Sequence, residues 1–98
     1  MSDTSTVTDT IVKLQTPTQW KVLLHNDEFT PMDFVVSVLF HIFNKNIDEA
    51  NRLMMAVHDK GKAVVGHYTK EVASTKLELT EIEASRYEFP LLVTMEQA

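Results

Sequence analysis

The segment FTPMDFVVSVLFHIFN, residues 29–44, constrains the fold most, because it predicts both where a helix begins and which side of it is buried. Thr30 suits the N-cap and Pro31 suits the first helical position. Phe29 and Phe34 have the spacing of a hydrophobic staple across this start. Apolar residues then recur at helical spacing: Phe34, Val35, Val38, Leu39, Ile42 and Phe43. We expect one helix that begins at Pro31, ends near residue 44 and buries a wide stripe.

A strand is predicted before this helix and a second helix after it. The run from Trp20 to His25 places alternate apolar residues on one face, which is typical of a strand. In the second helix Asn46 is the expected N-cap, Glu49 completes a capping box and Gly61 is the expected stop. The apolar side of this helix is predicted to contain Ile47, Ala50, Leu53, Met54 and Val57.

The rest of the chain predicts a strand, a helix and a last strand. The strand is KAVVGHY, residues 62–68, and Thr69 can cap a helix that runs towards Tyr87 with a less regular apolar pattern. Pro90 ends that segment, and residues 91–95 form the last strand. The order β-α-α-β-α-β indicates an α+β fold, a two-layer sandwich with a three-stranded antiparallel sheet covered on one face by three helices.

Length and composition limit the organisation of the chain. Its 98 residues suffice for one small domain. Residues 1–16 are rich in Ser, Thr and Asp and are expected to be a flexible N-terminal arm, with the core domain over residues 17–98. The N-terminus does not have the pattern of a secretory signal, and no apolar run has the length of a membrane span, so we expect a cytoplasmic protein.

Charge and residue types argue against several classes of function. The net charge of −5 disfavours a general nucleic-acid binder or a protein of anionic membrane surfaces. The absence of cysteine excludes disulfides and thiolate ligands, and the four histidines lack metal-ligand spacing. No phosphate-binding glycine loop and no nucleophile placed beside a base can be identified. We therefore expect no metal, no other cofactor and no catalysis.

Four blocks of sequence together resemble the ClpS family. They are NDEFTPMDFV at residues 26–35, LMMAVHDKGK at residues 53–62, TKEVASTK at residues 69–76 and PLLVTME at residues 90–96. The resemblance implies an adaptor that binds proteins with a destabilising N-terminal residue (Leu, Phe, Tyr or Trp). Such adaptors deliver these proteins to a ClpA- or ClpC-type AAA+ unfoldase. It also implies a monomer and matches the N-terminal arm to an extension that takes part in delivery.

An α-amino group is an ammonium with three donors and no acceptor, so its binding site needs several converging acceptors. Asn26, Asp27, Glu28 and His58 are candidates of the right type. The resemblance assigns contact with the amino group to Asn26, Glu28 and His58. It assigns the side-chain pocket to Thr30, Met32, Val35, Met54, Val57 and Leu91, with Met32 as the gatekeeper against β-branched residues. Glu71 and Lys76 match positions that contact the N-terminal domain of the unfoldase.

One residue departs from the family pattern, and it leaves alternatives open. Family members usually have Asp where this chain has Glu28, and we expect α-amino recognition to persist with altered affinity. A family variant with shifted specificity is one alternative. A second is a protein-interaction domain of similar fold, such as the C-terminal domain of the ribosomal stalk protein. A small hydrolase is a third and more remote class.

Overall fold

The computed structural model describes residues 18–98, so the predicted arm at residues 1–16 lies outside the described residues. The strands are β1 (Trp20–His25), β2 (Lys62–Tyr68) and β3 (Leu92–Gln97). The helices are α1 (Met32–His41), α2 (Ile47–Lys60) and α3 (Lys70–Arg86). The predicted order β-α-α-β-α-β is confirmed, and the bounds of β1 and β2 agree with those expected from the sequence.

The sheet is antiparallel, with β1 between β2 and β3. His25, the last residue of β1, lies opposite Lys62 on one side and Leu92 on the other. A bulge shifts the register with β2 between Val22 and Leu23. This arrangement places the end of β1 beside the start of both edge strands, and the loop after β1 therefore emerges next to the junction of α2 and β2.

The three helices pack on one face of the sheet, and the core lies between these two layers. Val22 and Leu24 of β1 are fully buried, as is Leu39 of α1. The remaining core residues are Val35, Val38, Phe43, Ala50, Leu53, Val57, Val65, Ala73, Ala84, Leu91 and Val93. The expected two-layer sandwich is confirmed. None of the helices within residues 18–98 combines the length and apolarity needed to cross a membrane.

The ends of α2 and α3 follow the predicted caps, with one exception. The side-chain oxygen of Asn46 accepts a hydrogen bond of 2.8 Å from the N–H of Glu49, and Gly61 ends α2 with φ of 89°. Thr69 accepts a bond of 3.3 Å from the N–H of Val72 at the start of α3. The predicted capping box is incomplete, because the Glu49 carboxylate pairs with Arg52 rather than with the backbone of Asn46.

The start of α1 differs from the prediction. Pro31, with ψ of 145°, is the N-cap, whereas the Thr30 hydroxyl donates to the carboxylate of Asp27. The helix consequently begins at Met32. The predicted staple is also wrong: Phe29 is 75% exposed, and the ring of Phe34 instead lies near other aromatic rings. Its centroid is 5.7 Å from that of Tyr87 and 4.8 Å from that of Phe89.

The buried faces of α2 and α3 differ in part from those that the apolar patterns predict. Ile47, at the first position of α2, is 54% exposed rather than buried. In α3 the fully buried residues are small or polar, namely Ala73, Thr80 and Ala84, and Leu77 packs partly buried against the core. Val72, Leu79 and Ile82 lie on the outer surface. This explains why the apolar pattern of the segment is irregular.

Candidate functional site

A cavity of about 400 Å³ lies where β1 ends, between the start of α1 and the second half of α2. The loop after β1 supplies its polar side, and the two helices supply most of its apolar side. The lining residues are Asn26, Asp27, Glu28, Thr30, Met32, Val35, Met54, Val57 and His58. The structure therefore brings together all the residues predicted for α-amino contact and for the side-chain pocket, except Leu91.

The loop and α2 are held together at the turn that ends the helix. Gly61 adopts the left-handed conformation, which lets the chain reverse from α2 into β2. Its carbonyl oxygen accepts a hydrogen bond of 2.8 Å from the N–H of Asn26. His58 lies in the last turn of α2, just before this contact. Asn26 and His58, distant in the sequence, thus line the same cavity.

The carboxylate of Asp27 organises the loop. Oδ1 accepts hydrogen bonds from the N–H groups of Phe29 (2.8 Å) and Thr30 (2.7 Å), and Oδ2 accepts one of 2.7 Å from the Thr30 hydroxyl. Burial acts to raise the pKa of Asp27, but these bonds to the charged form outweigh it and hold the pKa below its ordinary value. Most of the accepting capacity of Asp27 is therefore used within the loop, which makes it the least available of the four predicted acceptors.

The other three polar side chains face solvent. Asn26, Glu28 and His58 are exposed, and none of them takes part in the side-chain hydrogen bonds formed within residues 18–98. An amide oxygen, a carboxylate and an imidazole ring thus line one cavity. Within residues 18–98, none of these groups is bonded to another side chain. Together they can accept hydrogen bonds from a small cationic group.

The apolar part of the cavity has a buried floor and a wall of flexible side chains. Val35 and Val57 belong to the core, with 7% and 2% of their surfaces exposed. Met54 is half-buried and Met32 is 44% exposed. Methionine side chains are flexible and adapt to ligands of different shape. The cavity is thus suited to a ligand that carries a cationic group next to an apolar side chain.

Leu91 does not line this cavity. It is 7% exposed, belongs to the core and borders a separate depression beside the end of α3, together with Ser85 and Phe89. Leu91 directly precedes β3 and belongs to the core, and the depression that it borders is lined by Glu81, Ala84 and Ser85 of α3.

The two residues matched to unfoldase contact lie on α3, away from the cavity. Glu71 and Lys76 line a shallow depression of about 240 Å³ with Val72, Thr75 and Leu79. The Lys76 ammonium donates a bond of 2.7 Å to the carbonyl of Ile42. It also lies 5.8 and 5.5 Å from the ring centroids of Phe43 and Tyr68. Lys76 is therefore tied to the fold as well as to this surface.

Val72 and Leu79 are not among the functional residues predicted from the sequence. They are 43% and 47% exposed and flank the charged positions of the depression. The irregular apolar pattern of α3 is the one sequence signal for them, since a helix with large apolar residues on two sides has one side that the core does not cover. Within residues 18–98 no group of three or more His, Cys, Asp or Glu side chains could hold a metal ion.

Residues 15–94 match the family model described as ATP-dependent Clp protease adaptor protein ClpS. The chain belongs to the ClpS family. A ClpS adapter protein of Desulfatibacillum aliphaticivorans is 48% identical over 90 residues, which cover 92% of this chain and 86% of that protein. A ClpS adapter protein of Nitratidesulfovibrio vulgaris is 47% identical over 85 residues, or 87% of this chain and 85% of that protein.

A solved structure shows the same fold. The structure of Agrobacterium tumefaciens ClpS2 bound to L-phenylalaninamide matches with a TM-score of 0.82 and 36% identity. The match covers 85% of this chain and all of that chain. The resemblance stated from the sequence is thus confirmed, and the chain is an adaptor protein of the ATP-dependent Clp protease. The stalk-like domain and the hydrolase gain no support from these matches.

Proposed function

We propose that the cavity binds the free α-amino group and the first side chain of a substrate protein, which this ClpS protein then delivers to the Clp unfoldase. The observation that carries the proposal is the convergence of an amide, a carboxylate and an imidazole, none bonded to another side chain within residues 18–98, with an apolar wall in one cavity of about 400 Å³. The Agrobacterium tumefaciens ClpS2 structure supports it, because its ligand, L-phenylalaninamide, has the free amine and side chain of an N-terminal Phe residue.

The polar side binds the ammonium. Glu28 supplies the negative charge, Asn26 supplies an amide oxygen, and the imidazole of His58 supplies a ring nitrogen as an acceptor. These acceptors match the three donors of an α-ammonium. Hydrogen bonds to a charged group are stronger than neutral ones, and three of them fix the orientation of the ammonium in the cavity.

The apolar side accepts the first side chain. Val35, Met54 and Val57 form the surface against which a Leu, Phe, Tyr or Trp side chain packs, and Thr30 borders the entrance. Met32 lies at the exposed edge and restricts entry of residues branched at Cβ. This steric exclusion limits binding to first side chains that are not branched at Cβ, such as those of Leu, Phe, Tyr and Trp. No bond is made or broken at the site, so the protein acts without catalysis.

Delivery uses a separate surface. The depression on α3 that contains Glu71 and Lys76, with the exposed side chains of Val72 and Leu79, is proposed to dock on the N-terminal domain of a ClpA- or ClpC-type unfoldase. The cavity and this surface share no lining residue, so both can be occupied in one complex of a monomeric adaptor. Tethering then raises the local concentration of the substrate at the unfoldase.

Fluorescence anisotropy with a labelled peptide that begins with Phe, compared with its N-acetylated twin, tests the proposal. We expect the free-amine peptide to bind and the acetylated one not to bind. Asn26→Ala and His58→Ala should each weaken binding, whereas Asn51→Ala, at an exposed position of α2 outside the cavity, should not. Equal binding of both peptides, or no binding by any peptide beginning with Leu, Phe, Tyr or Trp, would overturn the proposal.

A further inference from the structure

Phe29 has a large apolar side chain with no structural role in the described part of the chain. It is 75% exposed, more than any other large apolar side chain within residues 18–98. The staple that its spacing from Phe34 predicts is absent, because Phe34 packs with Tyr87 and Phe89 instead. Removal of an exposed aromatic ring from water by contact with a partner contributes favourably to the free energy of binding.

The backbone of Phe29 is nevertheless firmly held. Its N–H donates to Asp27 Oδ1 at 2.8 Å, and the next residue, Thr30, is bound to the same carboxylate through both its N–H and its hydroxyl. The residues on either side, Glu28 and Thr30, line the cavity, whereas Phe29 does not. The backbone of Phe29 therefore lies next to the cavity, and part of its conformational entropy is already lost, which favours binding by a partner.

We propose that Phe29 contacts the second side chain of the bound substrate and favours an apolar residue there. The proposal rests on the proposed function. If Asn26 and Glu28 hold the α-amino group, the substrate backbone continues from a carbon atom directly attached to that group. Successive Cα atoms are about 3.8 Å apart, so the Cα atom of the second residue lies within roughly 5 Å of the bound amino nitrogen. Phe29 is the one apolar residue of the loop at residues 26–30.

The contact distinguishes substrates that share a first residue. An apolar second side chain that covers roughly 30–50 Å² of the ring should bind about three- to tenfold more tightly than a serine at that position. A bare amide such as L-phenylalaninamide has no second residue and gains nothing from Phe29. The ring thus extends recognition beyond the first residue without taking part in α-amino binding.

The experiment compares three ligands on three proteins. Two ligands are peptides that differ only at the second residue, one beginning Phe-Leu and the other Phe-Ser, and each is labelled at its C-terminus. The third ligand is L-phenylalaninamide, which is used as a competitor. The proteins are the full chain, Phe29→Ser and Phe40→Ser. Phe40 is a matched control, because it is 45% exposed on α1 and lines none of the cavities described above. Thermal unfolding of each variant establishes that it is folded.

We expect Phe29→Ser to lower the affinity for the Phe-Leu peptide about three- to tenfold and to leave the affinities for the Phe-Ser peptide and L-phenylalaninamide unchanged. We expect Phe40→Ser to change none of the three affinities. Unchanged binding of Phe-Leu by Phe29→Ser would overturn the proposal. An equal loss for all three ligands would also overturn it, because it would place Phe29 in the α-amino site itself. Failure of the unmodified protein to bind any of the three would instead reject the proposed function, and this proposal with it.

Discussion

The backbone N–H of Asn26 donates a hydrogen bond of 2.8 Å to the carbonyl oxygen of Gly61. This bond joins the loop after β1 to the end of α2, and thereby holds Asn26 on the same cavity as His58. It depends on the left-handed conformation of Gly61, whose φ is 89°. The geometry of the binding site therefore depends on a glycine at position 61, which adopts this conformation without strain.

Gly61→Ala should destabilise the protein by about 1 kcal/mol, because a residue with a Cβ is strained at positive φ. A steric clash is not the cause, since within residues 18–98 no heavy atom apart from those of Gly61 and its two chain neighbours lies within 4 Å of the position that a Cβ at residue 61 would occupy. Urea unfolding measures the effect. Gly61→Asn should cost less, because Asn tolerates this conformation, and Lys60→Ala serves as the neighbouring control. Equal stability of Gly61→Ala and the unmodified protein would contradict the prediction.

Asp27→Ala should lower the free energy of unfolding at pH 7 by about 1 kcal/mol, because three groups of the loop lose their acceptor. Since the folded-state pKa of Asp27 lies below the ordinary value of 3.8, its contribution is present above that value and is lost as the pH falls through the lowered pKa. The difference between the two proteins should therefore shrink in acid.

Urea unfolding of the unmodified protein and Asp27→Ala at neutral pH and at about pH 3 tests this dependence. Asp59→Ala, at an exposed position of α2, is the control for the removal of one negative charge. A difference between the proteins that stays constant over this pH range would show that the charged form of Asp27 does not stabilise the loop.

Glu28→Gln should weaken binding of a free-amine Phe peptide by about tenfold or more, because a charge-assisted hydrogen bond becomes a neutral one. Glu28→Asp should retain binding with a changed affinity, since the carboxylate moves by about one bond length. Peptide anisotropy measures both, with Glu71→Gln on α3 as the control. Unchanged affinity in both Glu28 variants would count against direct contact with the α-amino group.

Lys76→Met should lower the free energy of unfolding by about 1 kcal/mol, because the Ile42 carbonyl loses its donor and the rings of Phe43 and Tyr68 lose a cation. Glu71→Gln, on the same surface but exposed, should not change stability. Thermal unfolding separates the two roles of this surface. If Lys76→Met unfolds at the same temperature as the unmodified protein, the contact with Ile42 contributes nothing to the stability of the fold.

Most of the fold was predictable, because its signals are local. Caps at Asn46 and Thr69, the stop at Gly61 and the apolar periodicity of α1 each act within a few residues, and each is present in the structure. The errors lie where local rules compete. Thr30 was the expected N-cap, but its N–H and hydroxyl both donate to the carboxylate of Asp27, and Pro31 occupies the N-cap position.

The sequence by itself determined the elements, their order and the kinds of residue available to bind an ammonium beside an apolar group. The tertiary structure alone decided which of those residues share a cavity. It joined Asn26 to the end of α2, placed Leu91 in the core instead of the pocket and left Phe29 in solvent. Helix and strand signals are short-range, whereas convergence of distant residues depends on strand order and chain reversal, which no local pattern specifies.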